Sequence, residues 1–352
     1  MKNIHFIFIL SCFILVFNSC STDVDIYAEY QDIPIVYAML NPKADTNFVK
    51  ITRAFCGTNE DPINAREVAL IADSSNYPGK LDVRLIELKK NHGDLYEPTG
   101  RIIALDTITL HDKKPGIFYS PDQTFYYTTE QFYTGRDGSR YKYHLVVVKP
   151  DGDSLTAQTG IVGNEEFAIL TSGVGFQAVP TETVRKIMFR ADYFASLYEV
   201  AIQFNYREQK NGQGIVKKSV YRSFGTRPLN EFHKLEGTDN CYSLDYSENW
   251  LFNALTYAIG ADTVMDANHP NVVRYIDDFV ISISAAGDEL TNYYYASQAQ
   301  IESPMSLVTT YTNIDGGYGL FSSRTKIERV AKLSANTKRE LFGMTSWGFK
   351  EQ

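Results

Sequence analysis

The sequence predicts a mainly β protein: an immunoglobulin-like β-sandwich followed by a second, mostly β domain with one or two helices. Three observations predict it. The 352 residues include 24 Tyr and 21 Phe, and aromatic residues favour pleated, half-buried strands. Short segments in which apolar and polar residues alternate recur along the chain. Between them stand turn signals such as Asp137-Gly138, Asp151-Gly152 and Asn211-Gly212, which supply the left-handed geometry that hairpins need. A chain of this length can bury a sizeable core and suggests about two domains. The expected division is 1–19 signal peptide, 20–32 flexible tether, 33–165 immunoglobulin-like domain and 180–345 mixed domain.

Composition narrows the function. Hydrophobic residues make up 44% and aromatics 13%, which describes a folded chain and not a disordered stalk. Lys and Arg number 34 against 42 Asp and Glu, a formal net of -8. No basic excess exists to displace counterions from a polyanion, so nucleic acid is excluded as a partner.

The first element is an address. Lys2 gives a short positive region, and 4–17 is apolar but falls short of the roughly 20 residues a spanning helix needs. The segment ends Val16-Phe17-Asn18-Ser19-Cys20, with a small residue directly before cysteine. It resembles the lipoprotein signal of bacteria, which makes Cys20 the expected lipid attachment point. Cys12 competes, but would leave too short an apolar region, and an ordinary cleaved signal is the plainer alternative. The first charges beyond Cys20 are acidic: Asp23, Asp25 and Glu29. They read either as a flexible tether or as a patch resembling the surface-export signal of Bacteroidetes lipoproteins. Cys56 and Cys241 are left, as a pair or as two buried thiols.

Residues 33–40 read as a strand, 41–45 as a turn and 47–55 as a half-buried returning strand. Asp61-Pro62 is a good helix start, with a short helix expected through Ala72. Leu81, Val83 and Leu85 alternate; 91–94 turns the chain; 102–110 and 116–128 add strands. A hairpin joins 132–134 to 141–148, where Tyr141, Tyr143, Leu145 and Val147 share a face. The turn 149–154 leads into 155–159. After a boundary near 171–175, strands are expected at 186–190, 199–207, 215–224 and 272–284. Ser247 can cap a helix whose face is Trp250, Leu251, Ala254, Leu255 and Ala258, ended by Gly260. A second helix opens at Gly287-Asp288-Glu289-Leu290 and runs through Tyr295. The glycine-rich turn 314–321 enters a late strand, and its glycines read as tight backbone packing or a bulge.

Three stretches carry a resemblance: Cys20 with its acidic follow-on and the strand 33–40; Tyr143 to Val147 with Gly152 to Thr159; and Thr312-Asn313-Ile314-Asp315-Gly316-Gly317-Tyr318-Gly319-Leu320-Phe321. Together they resemble a large family of Bacteroidetes lipoproteins known only as a domain of unknown function. The opening Ile33-Pro34-Ile35-Val36-Tyr37 departs from that family's usual L-V-V-E-G, which points to a divergent branch or sister family. The resemblance implies an envelope companion of TonB-dependent outer-membrane transporters. It implies no catalytic, metal or cofactor residue.

Candidates for chemistry are few. His92, His111, His144, His233 and His269 are too scattered for a zinc site. Asp262, Asp266, Asn268 and His269 lack the cadence of a calcium loop and read as a solvated turn. Asp277-Asp278, in a strand, should face opposite sides, which defeats a paired-carboxylate glycosidase. No nucleophile elbow, P-loop or dinucleotide fingerprint is present. Adjacent rings cannot all face inward, so Tyr126, Tyr133, Tyr141, Tyr143 and Tyr294 are the expected binding surface. Thr107, Ser154 and Thr263 fit a short D-[S/T]-apolar pattern resembling Bacteroidetes O-glycosylation sites. The expectation is a non-enzymatic, cofactor-free protein anchored in the outer membrane by its lipid, facing the periplasm or the cell surface. It would bind an outer-membrane protein or, alternatively, a glycan; a hydrolase is the third reading.

Overall fold

The computed structural model describes residues 32–54, 65–91, 93–120, 122–136, 138–210, 213–260, 272–302 and 311–351. The signal peptide, Cys20, most of the tether, Cys56, the Asp61-Pro62 helix start, His92 and the segment holding Thr263 and His269 lie outside the described residues.

The protein is mainly β, with one large mixed sheet, two smaller antiparallel sheets and three helices of more than one turn. The large sheet has ten strands. Its main path runs β13 (Ile215–Pro228), β12 (Ala195–Lys210), β16 (Val272–Gly287), β17 (Tyr318–Leu333), β1 (Pro34–Leu40), β2 (Asn47–Arg53), β6 (Gln123–Thr128) and β5 (Asp106–Leu110). Short strands β10 (Val174–Phe176) and β18 (Phe349–Lys350) join β17 and β16. One small sheet is β4 (Tyr96–Ala104), β3 (Asp82–Lys90), β7 (Tyr141–Val148) and β8 (Ser154–Gly160). The other is β14 (His233–Lys234), β15 (Cys241–Ser247), β11 (Val184–Arg190) and β9 (Ala168–Ile169).

Two apolar cores line the inner face of the large sheet. In the first, Val36, Leu40 and Val49 meet Val83, Leu85, Leu145 and Val147 of β3 and β7. In the second, Ile202, Phe204, Ile281 and Ile283 meet Ile187, Phe189 and Leu244 of the other small sheet, together with two helices. Strand β17 serves both, giving Phe321 to the first core and Ile327, Ala331 and Leu333 to the second. Alternation of buried with half-buried or exposed residues in β1 and β7 explains why these sequences form strands with one face turned to the core.

Helix α1 (Trp250–Gly260) begins after Ser247, which stays in β15. Its buried face is Trp250, Leu251, Phe252, Leu255 and Ile259 with Ala254 packed beside them, so the expected face holds except at Ala258, which is exposed. Helix α2 (Asp288–Glu302) follows β16 directly and lies on the outer face of β17, where Leu290 N–H donates to Ser322 Oγ at 3.1 Å. A third helix, α3 (Ala335–Gly343), exceeds the expected one or two; Ser334 Oγ caps it by accepting from Thr337 N–H at 3.1 Å. The expected strand 116–128 shortens to β6, because Tyr119 N–H donates to Ala69 C=O and Lys113 Nζ to Tyr119 C=O, outside any ladder. Among the described residues no helix is long and apolar enough to cross a membrane.

Candidate binding surface

The outer face of the large sheet is decided by parity. Along β1, Val36, Ala38 and Leu40 point into the core, which leaves Ile35, Tyr37 and Met39 outward. Val49 and Ile51 of β2 point in, so Phe48 and Lys50 point out. On β6, Tyr126 pairs with Val49 and is buried, whereas Phe125 and Tyr127 turn outward. The result is an aromatic platform. Phe48 meets Phe125 edge to face with ring centroids 5.9 Å apart, and Tyr127 lies 6.5 Å from Phe48. Tyr37 is exposed at its margin, hydrogen-bonded to Tyr293 of α2.

One cation sits in this platform. Lys50 Nζ lies 4.6 Å from the Phe125 ring centroid and donates to Thr124 C=O at 3.2 Å. Burial, helped by the nearby Lys113 charge, pulls its pKa down to about 8. Tyr37, Phe48, Lys50, Phe125, Leu320 and Arg324 line a shallow depression of about 400 Å³. Such a surface offers contact area and a little charge.

The expected surface tyrosines divide. Tyr126 is buried, its OH accepting from Leu81 N–H at 2.8 Å, so it belongs to the core; its neighbours Phe125 and Tyr127 form the surface instead. Tyr143 is also a correction: it is wholly buried, donating to Glu87 Oε2 at 2.9 Å and accepting from Tyr133 N–H at 2.8 Å. A tyrosine on a central strand can be buried when its hydroxyl finds such partners. Tyr133 is 58% exposed, stands 6.0 Å from half-buried Tyr141 and carries the Arg101 guanidinium 4.9 Å from its ring. Half-buried Tyr294 packs on Tyr295 of α2 at 5.4 Å, away from that pair in the chain. Adjacent rings at 125–127 were the sequence signal for the platform, and only the parity of the strand was missing.

Of the short D-[S/T]-apolar sites, Ser154 is exposed at the start of β8, while Thr107 is half-buried in β5 opposite Tyr126. Thr263 lies outside the described residues. Cys241 is a buried free thiol whose Sγ is 3.3 Å from Asp239 C=O.

Asp277 and Asp278 do not face opposite sides. The β12–β16 register passes from Phe204↔Phe279 to Tyr206↔Ile276, so both aspartates oppose the single residue Asn205. This bulge turns both carboxylates to one face, where Asn205 Nδ2 donates to Asp278 at 2.5 Å and Arg207 Nε to Asp277 at 2.6 Å. Each is thereby engaged by its own partner. Among the described residues no group of three or more His, Cys, Asp or Glu side chains converges as a metal site would. His111 instead sits 2.7 Å from Asp122 beside β5 and β6, and His233 of β14 3.8 Å from Asp245 of β15. No protein-family model matches the chain, and no curated protein matches it either.

Proposed function

We propose that this chain is a lipid-anchored accessory protein of the bacterial cell envelope, acylated on Cys20 and built on an immunoglobulin-like first half. Its work is to bind a protein of an outer-membrane assembly, of the class of a TonB-dependent transporter. The observation that carries the reading is the aromatic platform of Phe48, Phe125 and Tyr127, with exposed Tyr37 and the partly desolvated Lys50. Rings and a low-cost cation on a rigid sheet suit protein docking, where aromatic anchors dominate the binding energy. A glycan reading is favoured by a different place, the exposed Tyr133 ring beside Tyr141 and Arg101.

The test is recovery of partners from native outer membrane with the acylated protein and with Phe48→Ala/Phe125→Ala. One outer-membrane protein bound by the first and lost by the second supports the reading. Recovery of glycans alone, lost on Tyr133→Ala, moves the function to the second surface. A mature chain whose leading cysteine carries no acyl group removes the anchor.

A further inference from the structure

The large sheet ends at β13, which among the described residues pairs only with β12. An antiparallel ladder uses alternate residues on each side, so every second residue of β13 leaves its N–H and C=O on an edge that no other described strand pairs. From Ile215 to Ser223 the register with β12 is uninterrupted, nine residues of regular edge. It breaks at Phe224-Gly225, where Gly225 takes φ 86°.

Charge on this edge is one-sided. Strand β13 carries Lys217, Lys218, Arg222 and Arg227 and no acidic residue, in a chain whose formal net is -8. Glu208 holds Lys218 at 2.9 Å. Lys217 and Arg222 are exposed and form no ion pair with the described residues.

Helix α1 runs beside this edge, with Trp250 and Ala254 packed on the core and Tyr257 turned to solvent. Trp250, Ala254 and Tyr257 follow helical spacing and, with Tyr221, Arg222 and Phe224 of β13, line a groove of about 580 Å³. Tyr257 is 89% exposed. Trp250 is buried in the groove's wall, and its indole N–H has no hydrogen-bond partner among the described residues.

We propose that β13 and α1 form a strand-addition site for an extended acidic segment of a partner protein. Backbone pairing on β13 would supply the affinity, Lys217 on the outer face would select carboxylates, and the alternate apolar side chains would land on α1 beside the aliphatic stem of Arg222. The same charges refuse a second copy of this chain, since an edge-to-edge pair sets basic residues against basic residues. The site is remote in the sheet from the aromatic platform, since β13 opens the path and the platform strands β2 and β6 are its sixth and seventh members, and it does not depend on the platform.

The full chain in detergent, titrated with a fluorescent nine-residue peptide alternating Glu with Val and Phe, is expected to bind it saturably. The same peptide with Lys for Glu is expected to bind at least tenfold more weakly. Tyr257→Lys is expected to cut affinity for the acidic peptide at least tenfold, and Phe48→Ala to leave it unchanged. Lys217→Glu should remove the preference for the acidic peptide. Amide hydrogen exchange from Ile215 to Ser223 should slow in the complex. Absence of binding, equal binding of both peptides, or binding that leaves those amides exchanging freely overturns the proposal. So does a chain already dimeric with those amides protected before any peptide is added.

Discussion

Arg274 is 1% exposed, yet its guanidinium is fully occupied: Nε and Nη2 reach Glu208 Oε2 at 2.9 and 2.7 Å, and Nη1 donates to Trp347 C=O at 2.7 Å. Arg274→Met leaves Glu208 to Lys218 at 2.9 Å and takes the guanidinium donor from the Trp347 carbonyl, so it should cost about 1–3 kcal/mol in chemical denaturation. An unchanged midpoint in the variant would contradict this account. Glu289 makes a pH-dependent case. Burial raises its carboxyl above the usual range, against the lowering effect of hydrogen bonds from Thr159 at 2.8 Å and Ser322 at 3.2 Å. The native state therefore binds more protons than the unfolded state between the ordinary pKa of 4.5 and the raised one. Its contribution to stability is fully present below 4.5 and is lost as pH rises through the raised value. Glu289→Gln keeps an acceptor oxygen for both hydroxyls. Its Tm relative to the native protein should rise between pH below 4.5 and neutrality, and a Tm difference independent of pH would refute the assignment. At this scale the sequence was read one parity off at Tyr126: composition shows that rings abound, but which of Phe125, Tyr126 and Tyr127 faces water depends on where Leu81 N–H needs an acceptor.

Among the elements, local pairings were legible and remote ones were not. The strands around the Asp151-Gly152 turn, and helices α1 and α2, follow from periodicity and turn chemistry over a few residues. The bulge at Asp277-Asp278 is invisible to an alternation rule because it exists only relative to β12. Helix α3 is short and polar, with Lys338, Arg339 and Glu340 together, so its periodic signal is weak. Farthest from legibility is the parallel pairing of β1 with β17, which joins the two ends of the described chain. That seam explains one glycine. Gly319 stands opposite Val36 with φ 117°, and a Cβ there would overlap the Val36 carbonyl oxygen. Gly319→Ala should therefore destabilise by about 2–6 kcal/mol, from left-handed strain and overpacking together. Gly225, also at positive φ but with open space around its Cβ position, should lose less on the same substitution, as denaturant midpoints of the two variants would reveal.

Across the whole molecule, two cores share one sheet, and β17 is the member that makes them depend on each other. Its first residues pair with β1 from Ile35 to Leu40 and place Phe321 in the first core, beside Ile314. Its later residues pair with β16 and place Ile327, Ala331 and Leu333 in the second. Asn313 fixes the entry to the strand, donating to Phe321 C=O at 2.7 Å and accepting from Phe321 N–H at 2.9 Å. A fragment of residues 33–165 would lack all of this. It would lose a buried Phe, worth about 3–5 kcal/mol by analogy with Phe→Ala, and expose the edge of β1 as well. Domains of this size hold about 5–15 kcal/mol in total, so the fragment alone should show no cooperative melt and should aggregate. Fusing 311–333 to it through a flexible linker supplies Ile314, Phe321 and the parallel partner of β1, and should restore a cooperative thermal transition by circular dichroism. A lone 33–165 fragment melting as sharply as the fused one would mean that the first core is closed by β3, β7 and β8 without help from the carboxy-terminal strand.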